Sequence, residues 1–330
     1  MRKLAGKLYG RVANVRNSMY DRGTLKSYDL GARTISIGNI TTGGTGKTPL
    51  VEYVSGLLAD NGEKVCVLTR GYGRRNENNR VLVSDGERVF VDAETGGDEP
   101  VELAQQLLGR ALVLADADRV SAAHWAIEQF GITAFVLDDG FQHRAAKRDL
   151  DLVCIDATDP FGARSMLREP VSSLNRADAM IITRADLAEN LGVLRTQLRQ
   201  NNEQAPFFIS RTQSIEIFSL AYRSQAIDRQ WPFFAFCGVG NPAAFFELLR
   251  ANNIETVGTK AFRDHHRYTQ KDLDDVATTA AASGADALIT TGKDAVKVKD
   301  LNLKIPCYVA EAEIVIDEAD EFKRLLLTSS

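Results

Sequence analysis

An apolar strand pattern that runs into a glycine-rich turn constrains the fold of this chain more than any other feature. The alternating residues 34–37 precede residues 41–48, whose sequence is Thr-Thr-Gly-Gly-Thr-Gly-Lys-Thr. Glycines allow backbone N–H groups to converge on a polyphosphate, Lys47 can reach its terminal phosphates, and Thr48 can offer a hydroxyl to Mg²⁺. Pro49 suits the first turn of a helix whose positive end faces the anion. The residues predicted to bind a nucleoside triphosphate are Thr41, Thr42, Gly43, Gly44, Thr45, Gly46, Lys47 and Thr48.

A second strand pattern ends in two acidic residues. Residues 132–137 form a nearly continuous apolar run, as expected for a strand buried on both faces, and Asp138 and Asp139 come directly after it. Carboxylates at the C-terminal end of a central parallel strand lie where such sheets bind ligands. In phosphate-loop enzymes this position holds Mg²⁺, directly or through water. A solvated turn with two acids is the alternative, and the nearby phosphate loop favours the metal site.

Strand and helix patterns alternate from residue 33 onward, which predicts an α/β fold with a parallel sheet. Helical patterns cover residues 48–60, 100–109 and 119–130. Further strand patterns lie at residues 64–69, 111–114, 152–155, 180–183, 233–237, 287–290 and 307–309.

These patterns divide the chain into three parts. Residues 201–205 are polar and weakly patterned, which is typical of a linker. We predict a basic amphipathic helix over residues 1–26 and a P-loop NTPase-like parallel sheet domain over residues 27–205. A smaller α/β domain over residues 206–330 would complete the active-site cleft. Within the first domain, residues 80–91 suggest a hairpin.

Composition and cysteine spacing exclude several classes of protein. The chain has 330 residues, of which 44% are hydrophobic and 25% charged, an ordinary globular composition with enough residues for a sizeable core. Its four cysteines include no Cys-x-x-Cys pair, so neither a zinc site nor a disulfide framework is predicted, and a reducing cytosol fits. No apolar run approaches the ~18 residues that span a bilayer. We expect neither a nucleic-acid partner nor an obligate protein partner.

The charge of the chain is unevenly distributed. Residues 1–26 carry seven basic residues against one acidic residue, a balance of +6, whereas the whole chain is −4. Apolar residues at three- and four-residue spacing in this segment predict an interfacial helix on anionic lipid. A helix packed on the protein with a solvated basic face fits the pattern equally well. The apolar stripe consists of Leu4, Leu8, Val12, Val15 and Met19.

Ionisable residues beyond the phosphate loop form further clusters. Asp98, in the Gly-Asp-Glu-Pro of residues 97–100, could cap the next helix or serve as a catalytic carboxylate. Residues 264–268 contain two of the four histidines of the chain. An Asp–His pair joined across a domain cleft would make a general base, in which the histidine orients the carboxylate that takes a proton from a hydroxyl. His143 could line the same cleft, and the arginines of residues 70–74 could bind phosphate.

Nine short motifs follow one another in a fixed order along the chain. They are Ile37-Gly38-Asn39, Gly43-Gly44-Thr45-Gly46-Lys47-Thr48-Pro49, Arg70-Gly71-Tyr72-Gly73, Gly97-Asp98-Glu99-Pro100, Asp138-Asp139-Gly140-Phe141-Gln142-His143, Leu167-Arg168-Glu169-Pro170, Phe236-Cys237-Gly238-Val239-Gly240-Asn241-Pro242, Asp264-His265-His266 and Lys293-Asp294-Ala295-Val296-Lys297. The phosphate loop alone would be unspecific, but the ordered set is highly specific. By this set the chain resembles the tetraacyldisaccharide 4'-kinase family over nearly its whole length.

This resemblance implies a reaction and a place for it. The γ-phosphate of ATP would move to the 4'-hydroxyl of an acylated glucosamine disaccharide 1-phosphate, a lipid A precursor. The protein would work peripherally at the cytoplasmic face of the inner membrane of Gram-negative bacteria. A lipid substrate also favours the interfacial alternative for the N-terminal helix, with the anionic membrane surface as a partner.

The resemblance also implies roles for single residues. Asp98 would be the catalytic base and His265 its partner, while Lys47 would serve the triphosphate. ATP and Mg²⁺ are the implied cofactors. The residues implied around the metal are Thr48, Asp138, Asp139 and Glu169. Further cleft candidates are Glu99, Arg70, Tyr72, His143 and Arg168.

The chain departs from the family pattern in two places, and two other function classes stay open. Residues 159–166 replace a longer Leu-Leu-Pro-Ala-Gly-type stretch, and Gly292 stands where a glutamate is often found. A P-loop ATPase of the partitioning type, acting as a membrane-associated switch, carries a lysine where this chain has Thr42. A nucleotide-dependent metal-insertion or partner-binding module needs no acceptor hydroxyl, whereas Asp98 and His265 favour one.

Overall fold

The computed structural model of the chain describes residues 13–163, 166–188, 190–221 and 231–328. A helix covers residues 13–21 and is labelled α1. The other α-helices in these ranges are α2 (Lys47–Asp60), α3 (Ala93–Gly96), α4 (Asp98–Gln106), α5 (Arg119–Phe130), α6 (Leu191–Arg199), α7 (Pro242–Ala251), α8 (Gln270–Ala282), α9 (Gly292–Val298) and α10 (Ala319–Thr328). The strands are β1 (Arg33–Asn39), β2 (Val65–Thr69), β3 (Val81–Ser84), β4 (Ala111–Ala115), β5 (Ala134–Asp138), β6 (Leu150–Asp156), β7 (Ala179–Thr183), β8 (Phe207–Ser219), β9 (Phe233–Cys237), β10 (Thr256–Ala261), β11 (Ala287–Thr291) and β12 (Cys307–Ile316).

These strands form one continuous sheet in the order β10-β9-β11-β12-β8-β7-β6-β1-β5-β2-β4-β3. Strands β1, β2, β4, β5, β6 and β7 are parallel, with β1 between β5 and β6 near the centre of that half. Every residue of β5 and β6 is buried, because helices cover both faces of a parallel sheet. The predicted α/β fold class is confirmed, and every strand pattern predicted outside the hairpin is a strand.

Strand β8 reverses the direction of the sheet. Its first residues pair in parallel with β7, and Ser210–Ser219 pairs antiparallel with β12. Because β9 and β11 are parallel to β12, the second half of the sheet runs opposite to the first. Because only the first residues of β8 pair with β7 and the rest pair with β12, the two halves are also displaced along β8, and the C-terminal ends of their parallel strands face each other across the cleft.

The C-terminal helix ties the second half of the chain back to the first. Phe322 of α10 is fully buried, and its ring lies 4.9 Å from Phe208 and 6.2 Å from Tyr53 of α2, centroid to centroid. Burying a phenylalanine of this kind typically contributes ~1.5–3 kcal/mol. The division at residues 205/206 stays a prediction, with β8 shared by both sheet halves and α10 packed on the first.

The predicted hairpin does not form, and the predicted N-terminal helix lies only partly within the described residues. The hairpin over residues 80–91 is reduced to a single bridge, Ser84 to Val89, and β3 pairs with β4 instead. An apolar strand gains more by joining an existing sheet than by forming an isolated two-stranded hairpin. Of the N-terminal helix, residues 1–12 lie outside the described residues. Across the described ranges, every helix is too short or too polar to span a bilayer.

Candidate active site

The turn after β1 has the backbone of a phosphate loop. Gly43 and Gly46 have φ values of 101° and 76°, in the region that favours glycine. A Cβ on Gly46 would also lie only 3.2 Å from the Thr183 side chain, which would have to shift slightly. Gly46 is the N-cap of α2, and no described side chain caps this helix. Its first N–H groups are therefore available to an anion, and Lys47 is the first helical residue.

Hydrogen bonds from neighbouring residues hold the phosphate loop in place. The Asn39 side-chain amide donates to Thr45 Oγ1 at 2.8 Å, and Thr183 Oγ1 donates to the Thr45 carbonyl at 2.8 Å. The Thr42 N–H donates to the Met166 carbonyl at 2.7 Å, and Thr41 forms a bridge with Leu167. The segment that departs from the family pattern thus still supports the loop at its end, although residues 164 and 165 lie outside the described ranges.

The two acids after β5 have different surroundings. Asp138 accepts a hydrogen bond from Thr69 Oγ1 at 3.0 Å, and burial raises the pKa of its carboxyl. Burial also raises the pKa of Asp139, but ion pairs with Lys47, at 3.4 Å, and with Arg168 outweigh it and hold that pKa well below its usual range. Asp139 adopts φ 52°, an uncommon conformation that points to local constraint.

The Asp–His pair predicted across the cleft forms. His265 Nδ1 lies 2.9 Å from Asp98 Oδ2 and 3.1 Å from Asp98 Oδ1, and the Asp98 side chain is only 7% exposed. Asp98 is the first residue of α4, and Gly97 before it has φ 94°. His265 has φ 56° and is held there by its N–H, which donates to the Gly238 carbonyl at 3.2 Å. The exposed ring of Tyr72 meets the His265 ring edge-on, with centroids 5.5 Å apart.

Two lysines of α9 surround this pair with positive charge. Lys293 and Lys297 are four residues apart and so share one helix face. Lys297 Nζ lies 3.6 Å from Asp98 Oδ2, and Lys293 Nζ lies 3.3 Å from His265 Nε2. Burial raises the pKa of Asp98, but the hydrogen bond from His265 and the charge of Lys293 outweigh it and lower that pKa to about 2. The hydrogen bond to Asp98 raises the pKa of His265.

The loop after β9 joins the Asp98–His265 pair to the phosphate loop. A Cβ on Gly240 would lie 2.9 Å from Gly44 N and 3.2 Å from Asp264 Oδ2, so the backbones of the two halves touch here. From the other side, Lys293 donates to Glu99 Oε1 at 2.9 Å, and the charge of Glu99 contributes to raising the pKa of Asp138. The base candidate, the strand-end acids and the phosphate loop therefore belong to one site.

Some predicted residues lie at the margin of this site. Glu169 is fully buried, and its Oε2 accepts hydrogen bonds from Asn17 of α1 and from Arg176. Burial and the nearby charges of Arg119 and Arg148 lower the pKa of His143 to about 3. Among the described residues, His143 Nε2 has no hydrogen-bond partner, so it is not bonded to the Asp98–His265 pair.

Two further predicted residues are exposed, and the predicted acidic residues do not form a complete metal site by themselves. Arg70 is exposed at the C-terminal end of β2, as is Tyr72 in the adjoining turn. Within the described ranges, no three His, Cys, Asp or Glu side chains are placed so that they could hold a metal ion together.

The sequence analysis assigned no role to Lys293, Lys297 or Gly240, although all three lie in motifs that carried the resemblance. The sequence signal that could have identified the two lysines is their i,i+4 spacing directly after a strand.

The chain is similar to known proteins in sequence and in structure. The family described as tetraacyldisaccharide-1-P 4'-kinase matches residues 3–330 of the chain. A curated tetraacyldisaccharide 4'-kinase of Desulfotalea psychrophila is 35% identical over 97% of this chain and 93% of its own length. One from Anaeromyxobacter dehalogenans is 40% identical over 89% and 80%. The "apo" form of LpxK from Aquifex aeolicus, solved in complex with ATP, superposes with a TM-score of 0.77 at 28% identity, covering 97% of this chain and 96% of that one. The chain belongs to the tetraacyldisaccharide-1-P 4'-kinase family.

Proposed function

We propose that this chain transfers the γ-phosphate of ATP to the 4'-hydroxyl of a tetraacyldisaccharide 1-phosphate, with Asp98 as the base. One observation carries the assignment of the base. The buried Asp98 carboxylate is held by His265 from the opposite half of the sheet, and the same cleft contains the phosphate loop. As a general base, a carboxylate in this position would serve an acceptor hydroxyl that enters the cleft. A nucleotide-driven switch, the alternative function, would not require the Asp98–His265 pair.

The ATP half of the site rests on Lys47 and the N-terminus of α2. The uncapped N–H groups of α2 offer partial positive charge to the β- and γ-phosphates. Lys47 ion-pairs with Asp139 at 3.4 Å, so it is already positioned at the end of β5. A lysine beside the transferring group stabilises the negative charge on its equatorial oxygens.

The acceptor half of the site handles one proton. The 4'-oxygen forms a bond to the γ-phosphorus, the bond from that phosphorus to the β–γ bridging oxygen breaks, and ADP leaves with the electron pair. The hydroxyl proton passes to Asp98. A carboxylate with a pKa of about 2 is a weak base, but the transition state of phosphoryl transfer is loose and releases this proton late. The main contribution of Asp98 is then to orient the hydroxyl, and His265 orients Asp98.

The oxygen donors at the end of β5 fit Mg²⁺, which prefers hard oxygen ligands. Asp139 Oδ1 is buried and accepts no hydrogen bond from the described residues, although Lys47 Nζ lies 3.4 Å from it. Asp138, Asp139 and the Thr48 hydroxyl would hold the ion. When bound, Mg²⁺ neutralises charge on the β- and γ-phosphates. Glu169 is already paired with Arg176, which favours a place near the ion rather than in direct contact.

The N-terminal helix is proposed to meet the membrane. In α1 the buried side chains are Ala13 and Asn17, whereas Val15 is 63% exposed and Met19 is 36% exposed. The described part of the apolar stripe therefore faces away from the protein, which favours the interfacial alternative. With the +6 balance of residues 1–26, this supports peripheral attachment to an anionic leaflet, at the cytoplasmic face of the inner membrane.

Radiolabel transfer tests the proposal directly. The full chain is incubated with γ-labelled ATP and the lipid disaccharide in micelles, and lipid is separated from nucleotide by thin-layer chromatography. We expect labelled lipid from the wild-type chain and from Asp275→Asn, an exposed control on α8, and a loss of at least about 10²-fold in Asp98→Asn. Release of labelled inorganic phosphate with no labelled lipid would contradict the proposal and favour the ATPase alternative.

A further inference from the structure

Lys293 contacts the side of His265 that faces away from Asp98. Its side chain is only 12% exposed, and its ammonium group has three partners. Nζ lies 2.9 Å from Glu99 Oε1, 3.2 Å from Asp264 Oδ1 and 3.3 Å from His265 Nε2. The first two partners are acceptors, and the third is a ring nitrogen that can be either a donor or an acceptor.

The chemistry of the donors decides which nitrogen of His265 carries the proton. An ammonium group has three N–H donors and no acceptor, so a nitrogen in contact with it must accept. His265 Nε2 therefore presents a lone pair to Lys293. On the other side, Nδ1 lies 2.9 Å from a carboxylate, which only accepts when ionised, so Nδ1 must carry the hydrogen.

We propose that Lys293 is a positioning residue that selects the tautomer of His265 with the hydrogen on Nδ1 and opposes protonation of Nε2. The proposal deepens the proposed function, since it rests on Asp98 as the base. Its consequence is that His265 cannot store the proton of the acceptor hydroxyl, because Nδ1 is already protonated and Nε2 is covered by Lys293. The proton stays on Asp98 until it leaves to solvent or to product.

The charges around the ring predict the effect of removing Lys293. Asp98 of α4 faces Nδ1, while Asp264 Oδ2, in the loop that carries His265, lies 3.8 Å from Nε2. Both acids raise the pKa of His265, and Lys293 of α9 lowers it. Without Lys293 only burial of the ring opposes the two acids, and the imidazolium persists to higher pH. Lys297, on the same helix face, ion-pairs with Asp294 at 2.7 Å and with Asp98 at 3.6 Å rather than with His265.

Nitrogen NMR of the full chain labelled in histidine tests the tautomer without turnover. The His265 signals are identified by their loss in His265→Gln. At pH 8 we expect the wild-type ring to carry hydrogen on Nδ1 alone. Lys293→Met should raise the apparent pKa of His265 by at least about one pH unit, as expected for the loss of a close charge. Lys293→Arg, which keeps the charge and the donor, and Lys297→Met should both leave hydrogen on Nδ1.

Kinetics provide a second readout. The acidic limb of the kcat/KM profile should move to higher pH in Lys293→Met, so that activity recovers partly as pH rises, and Lys293→Arg should restore the wild-type profile. Hydrogen on Nε2 of wild-type His265 at pH 8, or an unchanged pKa in a folded Lys293→Met, would overturn the proposal. Circular dichroism establishes folding of each variant. A failure of the kinase assignment would instead appear as absent lipid labelling, with the NMR result unaffected.

Discussion

Replacing Asp98 by asparagine should destabilise the protein as well as inactivate it. Removing a buried catalytic charge often stabilises an enzyme, because the charge is there for function. Here His265 donates a hydrogen bond to the carboxylate and the charges of Lys293 and Lys297 attract it, so the folded state favours the ionised form. Asp98→Asn keeps the shape of the side chain and removes this attraction.

The pKa of Asp98 sets the size of the effect. It falls from 3.8 to about 2 on folding, and one pKa unit corresponds to about 1.4 kcal/mol, so the carboxylate contributes on the order of 2 kcal/mol to stability. A lowered pKa in the folded state means that this contribution is complete above about pH 4 and is lost as the pH falls toward 2. We therefore expect the gap between wild type and Asp98→Asn throughout pH 5–8, and a smaller gap below pH 4.

Urea unfolding at several pH values measures this gap. With an m-value of about 3 kcal/mol per molar urea, a 2 kcal/mol loss lowers the midpoint by roughly 0.7 M. Asp275→Asn, which changes an exposed aspartate of α8, should leave the midpoint within roughly 0.2 M of wild type. An Asp98→Asn variant that is as stable as wild type at pH 7, or more stable, would refute the argument that the surrounding cations outweigh the burial of this charge.

Three further expectations concern the reaction and the membrane. Lys47→Ala should lower kcat by about 10²–10³-fold in the radiolabel assay, because a preorganised charge is lost; near-normal turnover would exclude this loop as the ATP site. Asp98→Ala and His265→Ala should each remove most of the rate and the double variant little more, whereas multiplicative losses would show independent action. Replacing Val15 and Met19 with serine should weaken sedimentation with anionic vesicles and spare ATP binding, since both side chains are exposed; unchanged sedimentation would place the membrane contact elsewhere.

Local sequence patterns predicted the parallel half of the fold well because buried strands must be apolar along their whole length. The runs that became β5 and β7 show this clearly, since all their residues are buried. The pattern of β8 is different. It alternates irregularly between buried and exposed residues while it changes from one partner strand to another, and no periodicity indicated it. The predicted hairpin failed for the related reason that strand pairing is decided by which edge is available.

The sequence by itself determined the chemical groups and their local settings. The glycine-rich turn before α2, the acids after β5 and the Asp98 at the start of α4 all depend on neighbours within a few residues. Only the tertiary structure decided which of these groups meet. Asp98 and His265 are separated by 167 residues along the chain. They meet because β8 joins two sheet halves of opposite direction, whose strand ends face each other across the cleft. The same reversal brings Lys293 to His265 and Gly240 to the phosphate loop. Such contacts depend on the order and direction of the strands, which packing of the whole sheet determines. The residues adjacent to either partner therefore contain no local pattern that predicts the contact.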